Sequence, residues 1–230
     1  MIFAHLRDRD IPSYNSEEAT DPFALIFVVK DTKDDEGKVP SESEILQAST
    51  LALIDLLLNN DEIVMSSVEE WLEGRIRKIV KRARNTAWDK TSDAGVPFFE
   101  SSYGNATVRA FAPIRFSEQP PALKKLQVSG LQADDTDIPV DIKTPYLSIQ
   151  VDKELGMSTG KLVAQVGHAV QLFIMYAEGS DVNDWLQSGS LISVSKVDVL
   201  DEFDADVAVH DAGFTEVANG SLTCTATYIK

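Results

Sequence analysis

Five of the nine prolines, Pro113, Pro120, Pro121, Pro139 and Pro145, cluster mid-chain together with Asp134, Asp135, Asp137 and Asp141, where no apolar period persists. A break of that kind splits 230 residues into two parts, and an apolar fraction of 43% is ample for a packed core. The same order of elements can be read on either side. Upstream stand a β-run (Phe23 to Lys30), a helix opened by Ser41 or Ser43 and running from Glu44 to Leu58, a basic helix over about Val68 to Lys90, and two β-runs joined by a Gly104-Asn105 turn. Downstream come a strand at Tyr146 to Val151, a helix over about 160–177 and a short helix around Asp181 to Gln187. Strands follow at Leu191 to Val197, Asp206 to His210 and Leu222 to Ile229. The expectation is two α/β halves: an N-terminal domain over 1–116, a linker over 117–144 and a second domain over 145–230. Their parallel order suggests duplication, which requires the same strand order in both sheets. Gln47, Ser49 and Thr50 would then match Gln165, Gly167 and His168, and Ser43 would stand where Lys161 does, leaving the first copy a non-catalytic partner.

The helix over 160–177 is unusual in its polarity. Its residues Leu162, Val166, Ala169, Phe173 and Ala177 form an apolar face suited to a sheet. At roughly 100° per residue, Lys161, Gln165 and His168 fall within about 60° of one another and form a polar ridge beside it. Folding does not need a cation, an amide and an imidazole there. The helix start, Ser158-Thr159-Gly160 with Lys161, can hold an anion or a developing oxyanion through backbone N–H groups and the helix dipole. It is not a P-loop: three residues separate Gly156 from Gly160, and Leu162 follows the lysine where Ser or Thr is needed.

Other chemistries find less support. His5, His168 and His210 have no zinc-ligand spacing. A Ser221-His168-Asp211 hydrolase is conceivable, since triads are defined by geometry, but the Gly-x-Ser-x-Gly elbow is missing. Asp211 closes a strand and precedes Ala212-Gly213, a position that either lines a ligand crevice or caps a turn. The single cysteine, Cys224, lies in an alternating segment and reads as a strand side chain. No run of about 18 apolar residues can span a bilayer, and the charged start of the chain lacks the apolar centre of a signal peptide, so a cytosolic protein is expected.

The net charge of −16 argues against non-specific nucleic-acid binding. Yet Arg75, Arg77, Lys78, Lys81, Arg82 and Arg84 place six of the 21 basic residues in one short window. Read as a helix, this segment offers either an ordinary solvated face or a local phosphate-binding stripe that includes Arg75, Lys78 and Arg82.

Two separated motifs, Gly160-Lys-Leu-Val-Ala-Gln165-x-Gly-His168-Ala169 and Asp211-Ala-Gly-x-Thr215-x-x-Ala218-x-Gly220-Ser221-x-Thr223, together resemble the type 2 peptidyl-tRNA hydrolases in content and order. The resemblance covers about 145–230, and the two-part layout is similar to longer bacterial proteins with this domain at the C-terminus. It implies a cytosolic, metal-free and cofactor-free domain: a mixed four-stranded sheet flanked by helices that cleaves the ester joining peptide to tRNA. By motif position, Lys161, His168, Asp211 and Thr215 would be the catalytic set. Gly160, Gln165, Ser221 and Thr223 would shape the substrate site; outside the matched motifs, Arg75, Lys78 and Arg82 of the basic segment would contact tRNA if the first half supplies the phosphate contacts. A homodimer and an internal pseudo-dimer are both open. Against the family pattern, Ser158-Thr159 stands where a second lysine is usual and Phe214 where arginine is. The second half carries four lysines against twelve carboxylates, a net of −8. The alternative is a non-catalytic relative that binds RNA or protein.

Overall fold

The computed structural model describes residues 21–33, 37–134, 144–211 and 216–230. The first half contains β1 (Phe23–Lys30), α1 (Glu42–Leu57), α2 (Glu62–Leu72), β2 (Arg77–Ala83), α3 (Thr86–Ser92), β3 (Phe98–Tyr103), β4 (Ala106–Arg115) and α4 (Pro121–Lys124). The second contains β5 (Tyr146–Asp152), α5 (Thr159–Tyr176), α6 (Gly179–Gln187), β6 (Ile192–Val197), β7 (Val207–His210) and β8 (Leu222–Ile229). No helix among the described residues is long and apolar enough to cross a membrane.

Both sheets are mixed and four-stranded, in the orders β2-β1-β4-β3 and β6-β5-β8-β7. In each, the first two strands in the sequence pair in parallel and the other pairings are antiparallel. The halves thus share strand order and sense, as a duplication requires. A finer likeness lies at the loops into the parallel strands. Trp71 donates its indole N–H to the Arg77 carbonyl at 3.0 Å, and Trp185 donates to Leu191 at 2.8 Å, each six residues on. In both loops the residue before that acceptor has positive φ, 47° at Ile76 and 56° at Ser190.

Periodicity explains which sheet faces are covered. β1 is apolar at every interior position: Leu25, Phe27 and Val29 join the main core, while Ile26 and Val28 pack with Trp88, Phe111 and Leu123 on the other face. β5 alternates, so Leu147, Ile149 and Val151 are buried while Gln150 is exposed. The helices α1 and α5 pack on one another between the sheets, and one continuous core draws from both halves. Polar ties reinforce the contact. Gln47, buried on α1, donates to Ser190 O at 3.0 Å and accepts from Ile192 N–H at 2.8 Å, and Lys196 pairs with Glu42 at 2.7 Å.

Two expectations are corrected. The basic segment is not a helix: α2 ends at Leu72, and Arg77–Ala83 lies parallel to β1 in register from Ala24↔Arg77 to Lys30↔Ala83. The apolar positions fit a helical stripe equally well, but β1 needs a hydrogen-bonding neighbour, and β-branched Ile79 and Val80 suit a strand. Side chains therefore alternate across the sheet. Lys81 turns inward, donating to Gln119 Oε1 at 2.8 Å and to Leu123 O at 2.9 Å. The proline-rich stretch is also structured as far as it is described. Pro120 and Pro121 start α4, Leu123 is fully buried, Arg82 N–H donates to Gln127 O at 2.9 Å, and Asp134 bridges to Ser41. Residues 120–134 therefore pack on the first half, and 135–143 lie outside the described residues.

Candidate active site

α5 starts at Ser158, whose backbone is extended and whose Oγ accepts from Lys161 N–H at 3.2 Å. The cap is itself fixed, since Ser158 N–H and Oγ–H donate to the Glu216 carboxylate at 2.9 and 2.6 Å. That start places Lys161 on the first turn, facing the end of β7. Its Nζ lies 2.6 Å from Asp211 Oδ1, and each side chain keeps only 9% exposure.

One turn along the helix, Gln165 donates from Nε2 to the same Asp211 oxygen at 2.8 Å. Thr223, on β8, donates to Gln165 Oε1 at 2.7 Å and also lies 3.0 Å from Val209 O. The threonine hydroxyl fixes the amide orientation, because a flipped amide would set Oε1 against the carboxylate. Asp211 backbone N–H donates to Ser221 O at 2.9 Å, and its own carbonyl accepts from Gly220 N–H at 2.7 Å. Four residues expected from the sequence, Lys161, Gln165, Asp211 and Thr223, are thus brought together from α5, β7 and β8. Ser221 enters through its backbone. Thr215 lies outside the described residues.

His168 goes elsewhere. Two turns beyond Lys161, or about 10 Å along the axis, its Nδ1 sits 3.0 Å from Lys78 Nζ of the first half. Lys78 also donates to Gln171 Oε1 at 2.6 Å and lies 4.9 Å from the centre of the Trp71 ring. Burial holds the Lys78 ammonium well below its ordinary pKa. Burial, then Lys78, then Lys161, hold His168 well below its own. A neutral imidazole accepting at Nδ1 carries its proton on Nε2. The Ser221-His168-Asp211 triad left open by the sequence is not assembled: Nδ1 is engaged by Lys78, and Asp211 Oδ1 receives Lys161 and Gln165. Cys224, its thiol pushed up to about 12 by burial, is a packed strand side chain.

The basic residues scatter. Lys78 is an internal contact between the halves, Arg75 is half-buried before β2, and Arg82 pairs with Asp31 at 2.6 Å. Gly160 faces β2, where a Cβ would make ordinary van der Waals contact with Val80 Cβ at 3.8 Å. Sequence reasoning missed Glu216 and Lys78 as partners. Glu216, five residues past Asp211, carried no signal of its own, and Lys78 was hidden by reading β2 as a surface helix.

At the corresponding place in the first half, Ser41 caps α1 and the residue three further on is Glu44, as Lys161 is to Ser158. Glu44 accepts from Ser41 N–H at 2.8 Å and Asn105 N–H at 3.2 Å. Alignment by caps therefore sets Glu44, not Ser43, opposite Lys161, and apolar Ala48 opposite Gln165. Gln47 has the different task of joining the halves. The first half thus has a carboxylate at the position where the second has an ammonium.

The family described as "Peptidyl-tRNA hydrolase PTH2" matches residues 146–228. A peptidyl-tRNA hydrolase of Thermoplasma acidophilum is 33% identical over 90 residues, an alignment covering 33% of this chain and 77% of that protein.

Proposed function

This chain belongs to the peptidyl-tRNA hydrolase PTH2 family, and from that premise we propose that its second half hydrolyses the ester between peptide and tRNA in the cytosol, recycling the tRNA. The observation that carries the reading is the Lys161–Asp211 pair, held at 2.6 Å beside the start of α5 by Gln165 and Thr223. Water attacks the ester carbonyl carbon, the bond to the ribose oxygen breaks, and that oxygen leaves with a proton. Asp211 takes the proton from the attacking water. Lys161, with the N–H groups of the helix start, offsets the negative charge that develops on the carbonyl oxygen. The proton path through Asp211 is direct, because His168 Nδ1 is engaged by Lys78. An ester is an easy bond to break, and one electrophile with a positioned water needs no covalent nucleophile. The first half acts as the non-catalytic partner of an internal pair, with Glu44 where Lys161 would stand.

Release of peptide from peptidyl-tRNA tests the reading. Lys161→Ala and Asp211→Asn should each reduce kcat by about 10²-fold or more. A wild-type chain without turnover, or variants that keep it, would leave a non-catalytic relative that binds RNA or protein.

A further inference from the structure

The second half contains no arginine, and each of its four lysines is paired with a carboxylate: Lys153 with Asp198 at 2.7 Å, Lys161 with Asp211 at 2.6 Å, Lys196 with Glu42 at 2.7 Å and Lys230 with Asp181 at 2.9 Å. Acids also gather at the start of α5, where Glu216 holds Ser158 and Glu42 accepts from the Thr159 hydroxyl at 3.2 Å. A domain of this charge repels a phosphate backbone, so cations for one must come from the other half.

The packing of β2 on α5 says which cations reach it. Gly167 lies against Lys78, and Gly160 against Val80. The strand therefore climbs the helix toward its N-terminus, the end that carries Lys161 and Asp211. At about 3.3 Å per residue, Arg82 stands about 7 Å beyond Val80 and Arg84 about 13 Å beyond it. Both lie beyond Val80 in the direction of the helix start. Arg82 and Arg84 share one carboxylate, Asp31, at 2.6 and 2.7 Å, so this group keeps a net positive charge, and the Arg84 side chain is 59% exposed. Arg82, Arg84 and Lys125 line one shallow depression, and Lys124, exposed at the end of α4, adjoins it. The sequence pointed to Arg75, Lys78 and Arg82; the fold withdraws Lys78 into the contact between halves and adds Lys124 and Lys125 from a segment distant in sequence.

We infer that Arg84, Lys124 and Lys125, beside an Arg82 whose guanidinium is taken up by Ser129 O, Asp31 and Gln127, form the surface that holds the phosphate backbone of tRNA while its 3′ end lies at Lys161 and Asp211. The first half thereby supplies positive charge that the second half lacks. This rests on peptidyl-tRNA being the substrate, and the test separates the two claims by using deacylated tRNA, whose binding needs no turnover.

Fluorescence anisotropy of labelled deacylated tRNA across a salt series should give a linear fall of log affinity with log salt. Arg84→Gln/Lys125→Gln should lower the magnitude of that slope by about 2 and weaken binding at low salt about tenfold or more. Lys124→Gln/Lys125→Gln, which leaves the Asp31 pairs intact, should do nearly the same, so a folding defect from loosening Asp31 cannot mimic the result. Lys153→Gln/Lys230→Gln, on the second half, should leave the slope unchanged. Equal slopes in wild type and both patch variants, or a fall in the second-half variant alone, would overturn the surface. An inactive chain whose slope depends on the patch keeps the surface and loses the chemistry. An active chain with an indifferent slope keeps the chemistry and loses the surface.

Discussion

Lys78 of the first sheet and His168 of the second half meet with Nζ and Nδ1 3.0 Å apart. Neither group is well placed to be charged. Burial lowers both pKa values, and each group's positive charge would oppose the other's. The contact joins the halves on the helix that carries Lys161, so the protonation of this pair is coupled to their association.

Stability should therefore depend on pH in two windows. For His168, depressed below 6.5, the unfolded chain takes up a proton first as pH falls. Its contribution is complete above the unfolded value and is lost as pH drops toward the folded one. For Lys78, depressed below 10.5, the same sign holds in a higher window, and stability rises with pH up to the unfolded value. Thermal denaturation should show wild type losing more Tm than His168→Gln between about pH 6.5 and 5. Wild type should gain Tm relative to Lys78→Met between about pH 7.5 and 9.5. Parallel curves for wild type and variants would show that neither group is perturbed.

The Gln165 amide is 2% exposed and joins Thr223 to Asp211. Replacing it with Leu removes a donor from a carboxylate in a site of little solvent access and leaves the Thr223 hydroxyl with Val209 O. Gln165→Leu should cost about 1–3 kcal/mol in denaturant unfolding, and Thr223→Val about 1 kcal/mol, since the amide keeps its bond to Asp211. Equal costs would mean that the threonine, not the amide, holds the carboxylate.

Much of this was legible in the chain. The Lys161-Gln165-His168 ridge and the strand-ending Asp211 were visible because polar groups at helical spacing stand out on an apolar helix, and Asp211 does meet the first two while His168 joins the halves. The strand elements of the second half were set by alternation, while the helix starts were legible only to within a few residues, as Ser41 or Ser43 and as Ser158-Thr159-Gly160, and the structure puts the caps at Ser41 and Ser158. What failed was β2. Its residues satisfy the helical period and the strand period together, and only the need of β1 for a parallel neighbour decides between them. The error propagated, because a helix would have kept Lys78 on a solvated face and hidden its meeting with His168. The one-residue shift between Ser43 and Glu44 arose likewise from aligning a buried inter-half glutamine, Gln47, with a site glutamine, Gln165.

The matched loops should respond alike. Trp71→Phe and Trp185→Phe each remove one indole N–H from a backbone carbonyl while keeping an aromatic ring in the core. Each should cost about 1–2 kcal/mol, and the double variant should show nearly the sum if the two loops act independently. Ser190→Gly should be neutral or stabilising by up to about 1 kcal/mol, because φ is 56° there and glycine carries no penalty for it. A marked loss on Ser190→Gly would place the importance of that loop in the serine side chain.

Gly167 provides the sharpest test of the contact between the halves. In the middle of a helix, Gly→Ala ordinarily gains about 1 kcal/mol from propensity. Here an added Cβ would lie 3.2 Å from Lys78 Cδ, 3.4 Å from Cε and 3.6 Å from Leu53 Cδ2. A lysine stem usually gives way, but this one is held at its far end by His168 Nδ1 and Gln171 Oε1 and flanked by Trp71. Moving it a few tenths of an ångström disturbs both polar contacts. Gly167→Ala should therefore destabilise the wild-type chain by about 1 kcal/mol or more, and the same change in a Lys78→Ala background should stabilise it, since propensity then acts unopposed. A double-mutant cycle in denaturant should return a coupling of about 1–3 kcal/mol between residues 78 and 167. If Gly167→Ala stabilises both backgrounds equally, Lys78 is not anchored in the groove of α5, and the joint between the halves must rest on Gln47 and the apolar core instead.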